Sequence, residues 1–365
     1  MQKKLIALAV AGLMSAPAFA QSNVTIYGVV DFGYKWTGDS ALSGYDSRSA
    51  IDSGISAGNR LGFKGTEDLG NGLKASFVYE TGIVGDRSGS NGLWGGAGSR
   101  QSYIALSGNF GTVALGRQYT PAHALLAGNI DPFGFGKGTV ASLANVYISP
   151  ARLDNLAAYV SPTFGGFSVV AAYTNQYSGD ETSGNGFGND EDAWTDARAW
   201  AIAPTYKNGP VYVALNVHQI RGNAAEASGQ NVVGTVKAWD LGGTYDFGVV
   251  KVGAVYGVND IKDVVKHKQW ALTAAVPVGA AGKVQASFVR RKSEVDAGSD
   301  ARVSQWGIGY EHALSKRTAL YTAYADINNK GAADDGVYSA SIGDATGTTE
   351  GAYQRGFTVG VRHSF

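Results

Sequence analysis

The chain has 365 residues, among them 52 Gly, 19 Tyr, 14 Phe and 7 Trp but no Cys. Charged residues make up 16%, below the ~25% that is usual in soluble domains, and 30 basic residues balance 30 acidic ones. The absence of cysteine excludes a disulfide-stapled scaffold, thiolate catalysis and thiolate metal sites. The balanced charge gives no basic footprint for nucleic acid.

The first twenty residues, "MQKKLIALAVAGLMSAPAFA", predict a secretory signal peptide. They contain two lysines, an apolar stretch from Leu5 and the ending Ala18-Phe19-Ala20, which is the order of such a signal. The apolar stretch is short for a membrane span, so an uncleaved anchor is the weaker alternative. We therefore expect residues 1–20 to be removed and residues 21–365 to form the mature chain outside the cytoplasm.

Short segments of alternating apolar and polar residues recur along the mature chain, and this alternation is typical of β-strands. In "NVTIYGVVDFGYKW", residues 23–36, Val30, Phe32 and Tyr34 fall on one face, whereas Asp31 and Lys35 fall on the other. We predict sixteen strands, which begin near residues 23, 57, 72, 99, 111, 152, 166, 197, 210, 237, 250, 267, 283, 302, 317 and 355.

Each predicted strand has one apolar face and one polar, charged or glycine-rich face. A β-sandwich would need bulky inner faces throughout, whereas this pattern is typical of a transmembrane β-barrel around a water-filled lumen. Tight Gly/Asn turns also alternate with long connections, as in such barrels. The sequence therefore predicts an all-β fold, a 16-stranded antiparallel transmembrane β-barrel. A periplasmic sandwich or solenoid is the alternative.

Residues 118–151 form a long connection that lacks alternation but is rich in apolar residues. A connection of this length is usually functional or disordered, and its hydrophobicity argues against disorder. We expect it to be the third external loop and to fold into the barrel, where it would narrow the channel.

Several motifs together resemble the general diffusion porins of Gram-negative outer membranes, in their β-proteobacterial branch. The motifs are "VTIYGVVDFG" at the first strand, "RLGFKGTEDLGNGLKA" at 60–75, "RQSYIALSGNFGTVALGRQYTP" at 100–121, "DPFGFG" at 131–136, "RLDNLAAYVSPTFGGF" at 152–167 and the terminal "VGVRHSF". The resemblance implies a passive, water-filled outer-membrane channel for small hydrophilic solutes and ions. It also implies a homotrimer, with the third loop forming an eyelet.

The resemblance places Arg60, Arg100 and Arg152 on a basic wall that faces this loop, and strand register adds Lys64 and Lys74 to the lumen. On the loop side, the matched motif contains Asp131, Phe133 and Gly134, and Lys137 directly after it adds basic character. Asp131 is the one acidic residue between positions 119 and 151. We therefore expect it to be the loop's lone carboxylate facing the arginines, so that the pore is positive and prefers anions.

Further expectations concern assembly and partners. The terminal Phe365 resembles the family's signal to the barrel-assembly machinery, and the other expected partners are outer-membrane lipid, lipopolysaccharide and small anions. Small residues that we assign to the outer face, and that would suit a trimer contact, are Gly28, Ala105, Ala114 and Gly116.

The rival classes are an outer-membrane barrel enzyme and an adhesin. The five histidines are scattered and show no metal-ligand spacing, and no Ser/His/acid set can be recognised. We therefore predict no catalytic residue, no metal site and no cofactor.

Overall fold

Among the described residues, seventeen β-segments form one closed antiparallel sheet. A computed structural model describes residues 23–38, 47–86, 100–136, 138–177, 198–223, 233–331, 333, 338–342 and 353–365, so the predicted signal peptide and Lys137 lie outside the described residues. The strands are β1 Asn23–Gly38, β2 Arg48–Ser53, β3 Arg60–Gly70, β4 Leu73–Gly82, β5 Gln101–Gly108, β6 Gly111–Tyr119, β7 Arg152–Val160, β8 Phe167–Thr174, β9 Ala199–Asn208, β10 Val211–Asn223, β11 Val233–Asp246, β12 Lys251–Ile261, β13 Val265–Val278, β14 Gly282–Val295, β15 Ala301–Ala313, β16 Thr318–Gly331 and β17 Arg355–Ser364. Between β6 and β7 lie helix α1 (Pro121–Leu125), a π-helical turn (Leu126–Ile130) and a 3-10 turn (Leu143–Asn145).

The barrel closes where β1 pairs with β17, from Val29 opposite Ser364 to Gly38 opposite Arg355. The other edge of β1 pairs first with β3 and then with β2. β2 and β3 are thus two halves of one barrel strand, interrupted at residues 54–59, and the sheet is the predicted 16-stranded barrel. The half formed by β2 was not predicted, because "RSAIDS" is short and mostly polar. A closed barrel also shows that the sandwich and solenoid alternatives were wrong.

The two faces of the sheet differ in the way the alternation predicted. Asp31 and Lys35 are almost completely buried on the inner face of β1, whereas Val24 and Ile26 are about 60% exposed on its outer face. Outward-facing aromatic residues form two groups at different heights on the barrel, as in the interfacial belts of membrane barrels. One group, in the middle of β11 to β16, contains Trp239, Tyr256, Trp270, Phe288, Trp306 and Tyr324, and the other, next to the tight turns, contains Phe167, Tyr206, Tyr245 and Phe247.

The small residues of β5 and β6 do not form the outer surface that we expected. Ala105 and Ala114 are 7% exposed and lie opposite each other on the inner face. Their neighbours Ile104 and Leu115 are more than half exposed and lie on the outer face. Gly116 shares the inward register of Ala114, so large apolar side chains cover the outside here.

Short and long connections alternate from β3 to β11. At one end the strands are joined by tight turns such as Asn71-Gly72, where both residues have positive φ angles of 53° and 78°. Glycine tolerates this left-handed conformation without a steric penalty, and asparagine tolerates it better than most residues. The long connections, including residues 120–151, lie at the other end. Within the described residues, no helix has the length and apolar character needed to cross a membrane.

Candidate functional site

The segment of residues 120–151, which connects β6 to β7, is tied together at its two ends. The Thr120 hydroxyl accepts a hydrogen bond from His123 N at 3.1 Å and so caps the start of α1. The same hydroxyl donates to Pro150 O at 2.5 Å, and Thr120 N donates to Ala151 O at 3.1 Å. The 120–151 segment therefore leaves and rejoins the barrel wall at one place.

Side chains of β13 to β15 hold the 120–151 segment by its backbone. Because these side chains lie on the inner face of the barrel, the 120–151 segment packs against that face. The bonds run from Thr273 Oγ1 to Ile130 O (2.8 Å), from Gln285 Nε2 to Pro132 O (2.5 Å), from Ser287 Oγ to Ala141 O (2.8 Å), from Gln305 Nε2 to Ser142 O (2.9 Å), and between Gln269 and both backbone groups of Ile148 (2.8 Å each).

Apolar packing and a close approach of the two backbones add to this contact between the 120–151 segment and the barrel wall. Buried side chains of the 120–151 segment, including Leu126 and Val140, form one cluster with inward residues of the wall. A Cβ atom at Gly307 would lie 2.6 Å from Ala141 Cβ, and one at Gly309 would lie 2.7 Å from the Phe133 ring. Glycine at these two positions therefore lets the segment approach the wall backbone closely.

Asp131 lies inside the segment with its carboxylate almost fully enclosed. Its Oδ1 accepts from Phe133 N at 2.9 Å, and its Oδ2 accepts from Phe135 N at 3.0 Å and from Ser142 Oγ and Leu143 N at 2.9 Å each. The carboxylate thus joins two stretches of the segment to each other. We expected it to face the arginines, but Asp131 is not among the residues that line the cavity described below.

Burial shifts the pKa values of three groups in the 120–151 segment. Burial raises the pKa of Asp131 to about 6, although its four hydrogen bonds act in the opposite direction. Burial lowers the pKa of His123 to about 4, and the nearby Arg152 and Arg100 charges lower it further. The pKa of Tyr147 is raised well above its usual value by burial and by Asp240, whose Oδ1 accepts from the Tyr147 hydroxyl at 2.7 Å.

Two of the predicted arginines donate hydrogen bonds to one tyrosine on the barrel wall that faces the 120–151 segment. The Tyr119 hydroxyl accepts from Arg100 Nη2 at 2.8 Å and from Arg152 Nη2 at 2.7 Å. The Arg152 guanidinium also lies 4.3 Å from the centre of the Tyr119 ring, and Arg100 Nε bonds Glu80 at 2.5 Å. The structure therefore brings Arg100 and Arg152 together on the Tyr119 hydroxyl.

Arg60 begins β3 directly after the interruption in the second barrel strand. Its Nε donates to Gly58 O at 3.0 Å. The interruption itself is held by Asp31, whose Oδ2 accepts from Ser56 N at 2.7 Å and from Ala57 N at 2.6 Å. A buried carboxylate on β1 thus fixes the backbone from which Arg60 extends.

A cavity of about 1250 Å³ lies between the 120–151 segment and the wall that carries the arginines. Arg60, Arg100 and Arg152 line it, and so do Phe133 and Gly134 from the segment. Lys64 and Lys74 are exposed and do not line it. At ~3.3 Å per residue, Lys64 is ~13 Å along β3 from Arg60. Lys137 lies outside the described residues.

Among the described residues, three further cations line the same cavity, and none of them was predicted from the sequence. Arg362 donates to Ser56 Oγ at 2.7 Å and pairs with Glu311 at 3.0 Å. Lys283 lies 3.6 Å from Glu311, and Arg291 bonds Val146 O of the 120–151 segment at 2.9 Å. The inward register of Arg362 was visible in the alternation of the last strand, but its proximity to Arg60 depends on barrel closure.

A closed barrel with an apolar exterior and a polar interior that holds a large cavity defines an outer-membrane channel. The chain belongs to the Gram-negative porin family, whose model matches residues 7–332. Outer membrane porin protein 32 of Delftia acidovorans is 34% identical over the full length of both chains, and an outer membrane porin protein of Bordetella pertussis is 30% identical, also over both full lengths.

Among solved structures, an anion-selective porin from Comamonas acidovorans is similar, with a TM-score of 0.75 and 31% identity. The match covers 94% of this chain and 100% of that one. The trimer form of OmpT from Vibrio cholerae has a TM-score of 0.66 at 16% identity over 94% and 99% of the two chains, which indicates a shared fold. Family membership confirms the predicted porin class, channel function and outer-membrane location. Because porins are channels, it also confirms that the chain is not an enzyme.

Proposed function

We propose that this porin is an anion-preferring channel for small hydrophilic solutes, with its narrowest section between the 120–151 segment and the wall that carries Arg60, Arg100 and Arg152. The segment acts as the inward-folded third external loop. Its hydrogen bonds to β13, β14 and β15 support this placement, because they fix it across the inner side of the barrel.

The charge balance of the cavity lining carries the proposal. Among the described residues that line it, six are Arg or Lys and one, Glu311, is acidic. Glu311 is paired with both Arg362 and Lys283, and the Asp131 carboxylate is enclosed within the loop. A low-dielectric wall focuses such an excess charge and concentrates the ion of opposite sign. The anion selectivity of the Comamonas acidovorans relative agrees with this sign.

A reversal-potential measurement in a salt gradient across a planar bilayer tests the proposal. We expect anion preference, strongest at low salt, because the Debye length shrinks from ~10 Å at 0.1 M to ~3 Å at 1 M. Replacing Arg60 and Arg152 together by Gln should shift the potential towards cation preference.

The matched control is the Lys64→Gln, Lys74→Gln double variant. It removes the same charge from luminal positions that do not line the cavity, so its shift should be clearly smaller. Cation preference of the unmodified channel, or equal shifts for the two double variants, would contradict the proposed constriction.

We also propose that the mature chain begins after Ala20, assembles as a homotrimer, and contacts outer-membrane lipid, lipopolysaccharide and the barrel-assembly machinery, with Phe365 as the assembly signal. The family supports the trimer, whereas the small residues Ala105 and Ala114 do not, since they face inward. An unheated sample should migrate as an oligomer in a detergent gel and become monomeric on boiling. An open but monomeric channel after mild extraction would contradict this.

A further inference from the structure

Four cations lie side by side on β13 to β16, at the end of the barrel that carries the long connections. The sheet register places Lys268 opposite Lys292, Lys292 opposite Arg302, and Arg302 opposite Lys330. We call these four residues the outer basic row. With ~4.8 Å between adjacent strands, the row extends over ~14 Å.

The neighbours of these residues show that the row faces outward. Gln269 and Gln305 reach the 120–151 segment inside the barrel, and Arg291 bonds Val146 O there. Because side chains alternate along a strand, Lys268 and Lys292 extend from the opposite, outer face. The same alternation applies to β16, where Asn329 bonds Ala340 and is buried while Lys330 is exposed.

Acidic side chains neutralise only part of the row. Glu294 pairs with Lys268 at 2.8 Å and with Lys292 at 3.0 Å, and Asp300 also pairs with Lys292 at 3.0 Å. Nearby, Lys266 pairs with Asp260, and Arg355 pairs with Asp326. Within the described parts of the chain, no ion pair involves Arg302, Lys330 or Arg290, which is two residues from Lys292 on the same face.

Cross-strand like charges destabilise a sheet unless another charge screens them. Arg302 and Lys330 form such a directly opposed pair, and both are exposed. The outer basic row therefore has the character of a binding surface for an external anion.

Aromatic residues fix the depth of the row relative to the membrane. Trp270 follows Lys268 by two residues, and its ring lies 5.2 Å from that of Phe288. Trp306 follows Arg302 by four residues and lies 5.5 Å from Tyr324. Aromatic belts mark the membrane interface, and at ~3.3 Å per residue the row lies ~7–13 Å beyond the belt along the strands, which is ~5–10 Å in depth at the ~40° tilt of barrel strands. That distance places it in the headgroup layer.

We propose that the outer basic row, together with Arg290, binds the phosphate groups of lipopolysaccharide in the outer leaflet. Basic clusters at the membrane surface attract anionic headgroups, and Arg forms paired hydrogen bonds with phosphate. The width of the row suits a headgroup with more than one phosphate. This inference rests on the lipopolysaccharide contact proposed above and is independent of the proposed anion selectivity.

The test is a titration of the purified, full-length trimer in detergent with diphosphoryl lipid A, followed by native mass spectrometry. The variant carries Arg290→Gln, Arg302→Gln and Lys330→Gln. These changes leave the ion pairs of Glu294 and Asp300 with Lys268 and Lys292 intact. The control carries Lys207→Gln, Lys316→Gln and Arg317→Gln, which removes three exposed charges at the tight-turn end. Heat-modifiable gel migration verifies that both are folded.

We expect the apparent Kd of the variant for diphosphoryl lipid A to rise on the order of 10-fold or more, and that of the control to stay near the unmodified value. Dephosphorylated lipid A should bind weakly to all three proteins. Equal affinities of variant and control would overturn the proposal, and an equal loss of phosphatidylglycerol binding would assign the surface to anionic lipid in general. The reversal potential of the variant should stay unchanged, which distinguishes this test from the test of ion selectivity.

Discussion

The guanidinium of Arg152 lies 4.3 Å over the ring of Tyr119, and the Tyr119 hydroxyl accepts a hydrogen bond from the same side chain at 2.7 Å. The ring of His123 is stacked on that of Tyr119, at 4.4 Å and 7° between the planes. Tyr119 therefore positions an arginine of the wall and contacts the first helix of the 120–151 segment at the same time.

The first prediction separates the positioning of the arginines from their charge. Tyr119→Phe keeps the ring and every charge but removes the oxygen that accepts from both Arg100 and Arg152. We expect a reversal-potential shift smaller than that of Arg152→Gln, together with increased open-channel current noise because both guanidinium groups gain freedom. A shift as large as that of Arg152→Gln would show that arginine position dominates selectivity.

The second prediction concerns pH and His123. Its pKa is about 4 in the folded channel and ~6.5 in an unfolded chain, so between these values the unfolded state binds more protons. The neutral form therefore contributes stability that is present above pH ~6.5 and is lost as the pH falls towards 4. Between pH 7.5 and 5.5, His123 should add no charge to the pore.

Comparison with His123→Gln isolates this effect from other titrating groups, including Asp131. The reversal potentials of the two proteins should show the same pH dependence between pH 7.5 and 5.5. On acidification from pH 6.5 to 4, the heat stability of the unmodified channel should fall more than that of the variant. A selectivity step near pH 6.5 that the variant lacks would contradict the lowered pKa.

Most of the barrel could be predicted because alternation responds to lipid on one side and water on the other. This holds for β1, whose two faces were assigned correctly. The alternation is harder to interpret in β5, where Ile104 and Leu106 have the same parity in the sequence as the basic Arg100. The chain bends at Arg100 before β5 begins at Gln101, so the guanidinium reaches Tyr119 while both apolar residues face outward.

The loop side of the site could not be predicted from the sequence to the same extent. Composition shows that Asp131 is the one acid of the loop, but its direction depends on donors up to twelve residues away, at Ser142 and Leu143. Similarly, Lys64 and Lys74 have luminal register, yet register gives no depth along the barrel. Tertiary contacts determine both the direction of the Asp131 carboxylate and the depth of the two lysines along the barrel.

The third prediction concerns the chain end. Phe365 N donates to Gly28 O at 3.1 Å, and Gly28 N donates to Phe365 O at 3.2 Å. A Cβ atom at Gly28 would lie 2.5 Å from the Phe365 ring. Deleting Phe365 removes the two closing hydrogen bonds and the ring, whereas Phe365→Ala removes the ring alone.

If the ring is an assembly signal, both changes should lower the outer-membrane level and leave chain in the periplasm. Because Phe365 is 45% exposed, Phe365→Ala should have little effect on the heat stability of channel refolded in vitro. Phe357→Ala, on another outward aromatic of β17, is the matched control and should assemble normally. Normal assembly of both Phe365 variants would argue against a signal role.

The last prediction concerns Asp131→Asn, for which sequence and structure give different expectations. Composition alone suggests a stronger anion preference, since the lone loop acid is lost. In the structure the carboxylate accepts four hydrogen bonds through two oxygens, whereas an amide offers one acceptor oxygen and places an NH₂ group against buried donors. Each buried donor left unsatisfied costs about 1–3 kcal/mol, so the 120–151 segment should loosen while the barrel stays closed.

We therefore expect faster tryptic cleavage after Lys137, larger conductance fluctuations and an unchanged sign of the reversal potential. Ser142→Ala, which removes one of the four donors, should produce the same changes to a smaller degree. Tryptic cleavage and ion selectivity should be measured on the same preparation and compared. A clear shift towards anions without faster cleavage would mean that the Asp131 charge acts on the pore directly.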